Sequence, residues 1–331
     1  MIKLSTMRAL TDTLNDKWES AIADQILSCW EHDKGTAKYL RASANFQFVF
    51  QKAGERYFLR FNHSTERTVD RIRAEVDCIN HLSSEGFTIA KPIPSIAGHF
   101  VESVPTTQGI FHAVVFEGLA GTQFEIEELT PEIFTRWGKA LGELHKASQG
   151  CQIAGRPTWK DHLIMVFEYL PATEQAALSA SGELQKQLTQ LSSSESNYGL
   201  IHFDFELDNI VWNGDKVGIV DFDDSAYYWF VADIAFALRD LFDDSAEKFD
   251  LRNESFQSFL TGYRLVREIA QEDLELIPMF LRLHNLITFA KLYRTLGTDE
   301  TRDEPVWLQE LRKKLFLKMQ FYRDGFSHSI R

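Results

Sequence analysis

Hydrophobic and polar positions change their spacing several times along the first third of the chain. Residues 1–35 have the three- and four-residue steps typical of one or two helices. Within 46–61, three phenylalanines alternate with other residues, an Ala-Gly turn follows, and a second apolar stretch predicts the returning strand of a β-hairpin. Helical spacing returns in 64–86, and further strands are predicted around 98–102 and 111–116.

Helical spacing dominates the rest of the chain. The segments 131–147, 172–191 and 254–330 are predicted to be mostly helical, with Thr130 as the N-cap of the first and a proline in its first turn. The serine-rich stretch 192–199 is predicted to be a loop.

This order of elements predicts an α+β fold with two lobes. Residues 1–116 would form a small β-rich N-terminal lobe with a helical leader, an antiparallel sheet and one long helix. Residues 117–331 would form a larger helical C-terminal lobe. A short Gly-containing connector, 116–121, is the predicted hinge.

The composition is that of a folded protein with a large core. The chain has 331 residues, of which 44% are hydrophobic and 26 are phenylalanines. Its net charge of −13 argues against binding to nucleic acid or to an anionic membrane. No apolar run approaches the ~20 residues that span a bilayer, and no secretory signal is recognisable. The three cysteines, Cys29, Cys78 and Cys151, are too widely spaced to indicate a disulfide framework, so a reducing cytoplasm is expected.

The acidity is concentrated in one segment of the chain. Residues 1–118 carry a net charge of −1, whereas 201–250 carry 13 acids against three bases, a net charge of −10. The sequence GLIHFDFELDN, residues 199–209, opens this segment with alternating polar and apolar positions. Alternation is typical of a half-buried strand, but the carboxylates would then share one face at about 6–7 Å and repel one another. The pattern therefore requires a positive group opposite them.

Two apolar runs joined by Asn213-Gly214 follow this segment and predict a β-hairpin. A two-residue loop would pair Asn209 with residue 218 and leave Asp221 about 10 Å further along. A four-residue loop, 213–216, would pair residue 209 with residue 220 and place Asp221 beside Asn209. Because hard cations bind oxygen ligands, the second register outlines a divalent-metal site.

The order His202-x-Asp204-x-x-x-x-Asn209, with a second Asp after a hairpin, is the catalytic-loop pattern of kinases. In that pattern the first Asp is the base, and the acids face Mg²⁺ that carries a nucleotide phosphate. The segment GLIHFDFELDNIVWNGDKVGIVDFDDSAYYWFVADIAF resembles the aminoglycoside phosphotransferase/choline kinase-like superfamily, nearest the group that includes the type II homoserine kinases. The resemblance covers about residues 36–295. It implies a protein-kinase-like two-lobed fold, ATP and Mg²⁺ as cofactors, and phosphorylation of a small alcohol.

The resemblance assigns roles to residues of the predicted second lobe. Asp204 would orient or deprotonate the substrate hydroxyl, and Asn209 and Asp221 would bind the metal. Asp223 is either a second metal contact or a capping acid. Asp233 matches a family residue that caps a helix and braces the catalytic loop.

Nucleotide-binding residues are implied mainly for the first lobe. Arg60 occupies the strand position where kinases usually carry Lys, and Glu75 would be its ion-pair partner. The loop Ser43–Phe46, which includes Asn45, would cover the phosphates, and Phe116–Leu119 would bind adenine through backbone groups. The alternatives are an ordinary surface ion pair for Arg60 and an ordinary turn residue for Asn45.

The sequence departs from the family pattern in several places. The loop between residues 36 and 53 has no glycine, Phe203 stands where Gly is usual, and Glu206-Leu207-Asp208 replaces a commoner His-Pro-Gly-like turn. The glycine-free loop and the replacement of Lys by Arg60 favour the alternative of a non-catalytic kinase-like nucleotide-binding or regulatory protein. The intact catalytic and metal-binding positions favour an enzyme. A protein kinase is disfavoured, because the dozen residues between Asp221 and Asp233 are too few for a platform that binds a substrate peptide.

The remaining acids predict a cationic substrate. Glu206, Asp208, Asp223 or Asp224, and 240–244 exceed what nucleotide and metal require, so they would form a negative pocket that concentrates cations. The resemblance points the same way, because homoserine, choline and aminoglycosides all pair a hydroxyl with a cationic nitrogen. The alternative is that these acids are solvated surface residues.

Overall fold

A computed structural model of the chain describes residues 1–242, 246–297 and 303–328. Its strands are β1 (Lys38–Ala42), β2 (Phe46–Lys52), β3 (Glu55–His63), β4 (Thr88–Ile89), β5 (Pro92–Ile93), β6 (Glu102–Thr106), β7 (Gly109–Glu117), β8 (Tyr198–Ile201), β9 (Ile210–Asn213), β10 (Lys216–Ile219) and β11 (Ala226–Trp229). Its helices are α1 (Leu4–Thr11), α2 (Ala21–Leu27), α3 (Val69–Ser84), α4 (Pro131–Ser148), α5 (Trp159–Tyr169), α6 (Gln175–Gln190), α7 (Phe230–Ala237), α8 (Glu254–Arg264), α9 (Gln271–Leu274), α10 (Ile277–Leu296) and α11 (Val306–His328).

The chain forms two compact units. The first comprises Met1–Asn80, Ala90–Gly118 and Lys291–Phe321, and the second comprises His81–Ile89, Leu119–Ala290 and Tyr322–Arg331. The break after Gly118 falls within the segment predicted as the hinge. The predicted division differs in two segments, because it assigned 81–89 to the first lobe and 291–321 to the second. Both segments begin inside a helix, α3 or α10, and a change of unit within a continuous helix leaves no mark in the hydrophobic spacing.

The first unit contains an antiparallel sheet. Its strand order is β1-β2-β3-β7-β5, and β6 also pairs with β7. Strands β2 and β3 form the predicted hairpin, in which Phe46 lies opposite Phe61 and the two buried rings are 5.5 Å apart. Because alternate residues of a strand face the same side, the alternating phenylalanines supply one face of the sheet with its core.

One strand lies later than predicted. The strand expected around residues 98–102 is wrong in position, because β6 begins only at Glu102. Gly98 lies instead in a turn, with a φ of +85°, and its N–H donates to Ser95 O at 2.9 Å. This left-handed conformation suits glycine and interrupts a strand.

The second unit contains two small sheets and most of the helices. Strand order is β4-β10-β9 in one sheet and β11-β8 in the other. Helix α4 begins after its predicted N-cap, Thr130, and crosses α8 in backbone contact. A Cβ atom on Gly138 would lie 1.9 Å from Phe259 O, and one on Gly262 would lie 1.7 Å from Thr135 O. The glycines therefore permit this close crossing.

Helix α5 is missing from the sequence prediction. Its sequence, WKDHLIMVFEY, has apolar side chains on most sides rather than in one stripe. The predicted helical segment 172–191 corresponds to α6, and the predicted loop 192–199 ends slightly earlier, where β8 begins. Within the part of the chain that the structure describes, no helix is long and apolar enough to cross a membrane.

Candidate active site

The acidic loop, residues 202–209, connects β8 to β9 and is not a strand. Its last three residues, Leu207–Asn209, form one turn of 3-10 helix, and Phe203 has a φ of +73°. Few residues other than glycine adopt this conformation, which explains why glycine is usual there in the family that the sequence resembles. Phe203 is held by packing, with its ring 5.0 Å from that of His162 and 4.9 Å from that of Phe236.

Asp233 fixes the start of the acidic loop. Its carboxylate is fully buried in α7, where Oδ2 accepts from His202 N at 2.9 Å and Oδ1 accepts from Phe203 N at 2.8 Å. His145 Nε2 lies 3.0 Å from Oδ2, and its Nδ1 lies 2.9 Å from the Tyr263 hydroxyl. Burial lowers the pKa of His145, although Asp233 opposes the shift. A neutral His145 that donates through Nε2 and accepts at Nδ1 satisfies both partners.

His202 supports the same loop by packing. It is fully buried, its Nε2 lies 3.1 Å from Val220 O, and its ring lies 4.5 Å from that of Phe222. These contacts join the acidic loop to the residues on either side of Asp221.

Asp204 and Asn209 are joined directly. Asn209 Nδ2 donates to Asp204 O at 2.8 Å and to Asp204 Oδ2 at 3.1 Å. Asn209 is buried, whereas the Asp204 side chain is 35% exposed. The carboxylate predicted as the base is therefore fixed on one side and accessible on the other.

The hairpin register brings Asp221 next to Asn209. Strands β9 and β10 pair residue 210 with 219 and residue 213 with 216, and Val220 N donates to Asn209 O at 3.0 Å. Residue 209 therefore pairs with 220, as in the second predicted register, but Gly214-Asp215 forms a shorter turn than the four residues expected. Asp221 itself has a φ of +64°.

The chemistry of this arrangement fits a hard divalent cation. The hydrogen bonds to Asp204 use Asn209 Nδ2, so Oδ1 is the atom through which Asn209 can bind a metal. Asp221 supplies a carboxylate, and Asp223, also predicted as a ligand, is buried. Among the residues with a described structure, no group of three or more His, Cys, Asp or Glu side chains could hold a metal by itself. Mg²⁺ commonly takes only one or two protein carboxylates and completes its shell with phosphate and water.

Arg156 is a residue of this region that the sequence analysis missed. It is buried, and its guanidinium donates to Phe222 O at 2.9 Å, to Asp223 O at 2.7 Å and to Ser225 O at 2.6 Å. It thereby fixes the backbone after Asp221. Arg156 and Phe222 are 66 positions apart in the sequence, which explains why no local pattern indicated this role.

Arg239 is the second residue that the sequence analysis missed. Its Nη2 forms an ion pair with Glu206 and lies 3.7 Å from Asp204 Oδ1. Burial and the neighbouring Asp204 charge raise the pKa of Glu206 to about 8, with Arg239 opposing the shift. Glu206 therefore faces a protein cation. Asp208 is exposed, and the predicted acids Asp243 and Asp244 lie outside the described residues.

The first unit contains the predicted Arg60–Glu75 pair. Arg60 Nη2 contacts Glu75 Oε2, both residues are buried, and the guanidinium lies 4.8 Å from the centre of the Phe116 ring. The pair is therefore enclosed, and the alternative of a surface ion pair is wrong. The side chain of Phe116 therefore forms part of this packing.

The loop between β1 and β2 holds the other two predicted nucleotide-binding residues of the first unit. Ser43 N donates to Asn45 O at 3.1 Å, and Gln47 Nε2 donates to Asn45 Oδ1 at 3.0 Å. Asn45 is 1% exposed, and its Nδ2 has no hydrogen-bond partner within the described protein. A buried donor without a partner is uncommon, so this amide is suited to a ligand that brings an acceptor.

Two backbone N–H groups of the predicted hinge already donate hydrogen bonds within the protein. Glu117 N donates to Lys91 O at 2.9 Å, and Gly118 N donates to Arg56 O at 3.0 Å. Leu119 starts the second unit, where its side chain lies against Gly218 of β10. The assignment of Phe116–Leu119 to adenine stays a prediction.

Comparison with known proteins agrees with the resemblance. The family model described as "Phosphotransferase enzyme family" matches residues 36–269. The amicoumacin kinase of Bacillus subtilis (strain 168) is 27% identical over 300 residues, covering 85% of this chain and 88% of that protein. The homoserine kinase of Methylobacillus glycogenes is 26% identical over 235 residues, covering 66% of this chain and 67% of that protein.

Solved structures support the same fold. An amicoumacin kinase in complex with AMP-PNP and Ca²⁺ superposes with a TM-score of 0.78 at 24% identity, covering 97% of this chain and 96% of that chain. A microcompartment-associated aminopropanol kinase gives a TM-score of 0.67 at 23% identity, covering 91% of this chain and 94% of that chain. The predicted α+β, protein-kinase-like fold is confirmed.

Proposed function

This chain belongs to the phosphotransferase enzyme family, and we propose that it is an ATP-dependent kinase that phosphorylates the hydroxyl group of a small, amine-bearing molecule. The relatives that it resembles are named as kinases of small molecules, among them homoserine and aminopropanol. Each of these two compounds carries one hydroxyl and one amine.

The observation that carries the proposal is the grouping of Asp204, Asn209 and Asp221 in the second unit. Asn209 donates to the Asp204 carboxylate, and the residue before Asp221 pairs with Asn209 across the hairpin. Phosphoryl transfer needs little covalent chemistry from the protein, so positioning and charge neutralisation supply most of the catalysis. The Asp204 carboxylate, held by Asn209, would supply the positioning. The oxygen atoms of Asn209 and Asp221 would hold the metal that neutralises charge.

Asp204 is the group that would act on the acceptor. Its carboxylate would accept a hydrogen bond from the substrate hydroxyl and orient that oxygen towards the phosphorus. As the new O–P bond forms and the bond to the ADP oxygen breaks, the hydroxyl proton would pass to Asp204. Bound Mg²⁺, held by Asn209, Asp221 and Asp223, would neutralise charge on the phosphate oxygens.

The nucleotide would be bound by residues of the first unit and by the hinge. Arg60 supplies a cation that Glu75 holds in place, and its fork geometry suits phosphate oxygens. The buried Asn45 amide and Ser43 would line the phosphate loop. Phe116–Leu119 would take the adenine, as the resemblance implies.

A positively charged acceptor would account for the acidic residues that neither bind the metal nor pair with another group of the protein. Glu206 faces Arg239, so it does not belong to that surplus. Asp208 and Asp240 are exposed, and a field from such carboxylates raises the local concentration and on-rate of cations. The proposal therefore predicts a preference for acceptors with a protonated amine.

A kinase assay with matched variants tests the catalytic and metal assignments. Asp204→Asn should lower transfer by roughly 10²–10⁴-fold, the usual contribution of a positioned base, and leave Mg·ATP affinity nearly intact. Asp221→Ala should abolish tight Mg·ATP binding in calorimetry. Asp215→Asn, which removes an exposed carboxylate from the hairpin turn, is the control and should behave like wild type. Near-wild-type turnover by Asp204→Asn would refute the assignment of the base. Retained Mg·ATP binding with no transfer to any acceptor would favour the non-catalytic alternative.

A panel of amino alcohols tests the acceptor class. Each member is compared with its N-acylated analogue, which keeps the hydroxyl and loses the charge. We expect higher kcat/KM for the charged member and a smaller difference at high salt. Equal kcat/KM for both members at every ionic strength would show that charge does not select the acceptor.

A further inference from the structure

The C-terminal end of α7 presents a cation to the acidic loop. Arg239 lies two residues beyond the helix, and its Nη1 donates to Phe236 O at 2.8 Å. Its Nη2 contacts Glu206 and lies 3.7 Å from Asp204 Oδ1. Only 14% of the Arg239 side chain is exposed, so the guanidinium is enclosed among a helix-end carbonyl and two carboxylates.

Helix α7 and the segment just after it therefore contact the acidic loop at two points. Asp233, in the middle of the helix, accepts the backbone N–H groups at the start of the loop. Arg239, after its end, places its guanidinium against the carboxyl groups at positions 204 and 206. The first contact fixes the backbone, whereas the second acts on the carboxylate proposed to meet the substrate.

The second contact places a cation beside two neighbouring carboxyl groups. Burial and, after it, the neighbouring Asp204 charge raise the pKa of Glu206 to about 8, and Arg239 opposes the shift. Arg239 Nη2 is within reach of both carboxyl groups, so it ties the positions of the two side chains together. Without Arg239, the Asp204 carboxylate would keep its hydrogen bond from Asn209 Nδ2 and lose the cation on its Oδ1 side.

We propose that Arg239 is a positioning residue for Asp204, held in place by Glu206 and by the Phe236 carbonyl. The planar fork of arginine can serve these acceptors together, which the single ammonium of lysine cannot do with the same geometry. The role of Asp204 in catalysis rests on the proposed function, whereas the ordering of the acidic loop by Arg239 does not.

The test compares Arg239→Ala and Arg239→Lys with a matched control. The control, Arg323→Ala, removes another partly buried arginine of the second unit. Its Nη2 lies 2.7 Å from Glu174 Oε1, so its ion pair is with a residue outside the acidic loop. Four quantities are measured on the full chain: amide hydrogen exchange of peptides that cover residues 202–209, Mg·ATP affinity, and both kcat and KM for an accepted alcohol.

We expect Arg239→Ala to raise exchange in residues 202–209 and to lower kcat on the order of 10²-fold, the effect of a small misplacement of a reacting group. Mg·ATP affinity should change little, and Arg239→Lys should recover part of kcat because it restores the charge. Arg323→Ala should leave loop exchange and kcat unchanged, even where it lowers the melting temperature. If Arg239→Ala does not fold, Arg239→Lys carries the test, with a smaller loss of kcat expected.

Each of the other possible results would contradict one part of the proposal. Wild-type exchange of the acidic loop in Arg239→Ala would show that Arg239 does not order it, whatever the activity of the protein. Raised exchange with an unchanged kcat would show that the ordering does not position Asp204 for transfer. If the wild type transfers phosphate to no acceptor, the proposed function fails, and the exchange comparison still decides whether Arg239 orders the loop.

Discussion

Asp233→Asn is the substitution from which the largest combined effect on folding and activity is expected. The Asp233 carboxylate is fully buried and takes part in three hydrogen bonds, with His202 N, Phe203 N and His145 Nε2. Asparagine has the same shape but replaces one acceptor oxygen by an NH₂ group. Whichever way the amide turns, that group faces a backbone N–H of the acidic loop.

The expected loss of stability follows from these contacts. One buried N–H loses its acceptor, which costs about 1–3 kcal/mol, and the remaining hydrogen bonds lose the strength that a charged partner gives them. The sum is about 2–5 kcal/mol. The entropy of unfolding of a 331-residue chain is about 0.7 kcal/mol/K, so the melting temperature should fall by roughly 3–7 °C.

Thermal unfolding and single-turnover phosphoryl transfer measure the two consequences together. The transfer rate of Asp233→Asn should fall more than its Mg·ATP affinity, because the backbone of residues 202 and 203 precedes Asp204 directly. Asp250→Asn alters an exposed carboxylate and is the isosteric control. An unchanged melting temperature for Asp233→Asn would refute the assignment of Asp233 as the acceptor of the two backbone N–H groups.

Two further predictions concern the packing and the pH dependence of stability. Gly262→Ala would place a Cβ 1.7 Å from Thr135 O and should destabilise the protein by about 3 kcal/mol or more. Gly182→Ala, in a helix position with nothing within 4 Å, should instead stabilise by about 0.5–1 kcal/mol, and urea unfolding compares the two. Burial raises the pKa of Glu66, but hydrogen bonds from Arg294 and other donors outweigh it, so the folded pKa lies below the ordinary 4.5. The Glu66 contribution is therefore present above pH 4.5 and is lost as the pH falls through the folded pKa, so the difference in melting temperature between wild type and Glu66→Gln should be largest near neutrality. A difference that stays constant down to pH 3 would contradict this assignment.

The parts of the site that sequence predicts are those made by neighbouring residues. The spacing of Asp204 and Asn209 within one short loop, and the two apolar runs of the following hairpin, are local features. They were sufficient to place Asp221 beside Asn209, although the turn proved shorter than expected. Hairpin register follows from which residues pair across the strands, and the predicted register that places Asp221 beside Asn209 is the one in the structure.

The parts of the site that the sequence does not predict come from two arginines that lie far away along the chain. Arg156 reaches Phe222 across 66 positions, and Arg239 reaches Glu206 across 33. Neither arginine lies in a motif, and each was visible in the sequence only as one positive charge. Tertiary packing decides which carboxylate or carbonyl such a side chain meets, and no periodicity records that choice.

The 13 acids of residues 201–250 overstate the negative charge that a substrate meets, because several of them already have hydrogen-bond or ion-pair partners within the protein. Asp233 is fully buried and accepts backbone hydrogen bonds, and Glu206 faces Arg239. A cation that approaches Asp204 therefore responds mainly to exposed carboxylates, whose influence beyond about 10 Å is screened at 0.1 M salt. Selection of amines by this field should weaken as ionic strength rises, whereas selection by the shape of the pocket should not. A preference for charged acceptors that persists unchanged at 1 M salt would mean that a buried group recognises the amine at short range, and the acidic surface would then have no part in specificity.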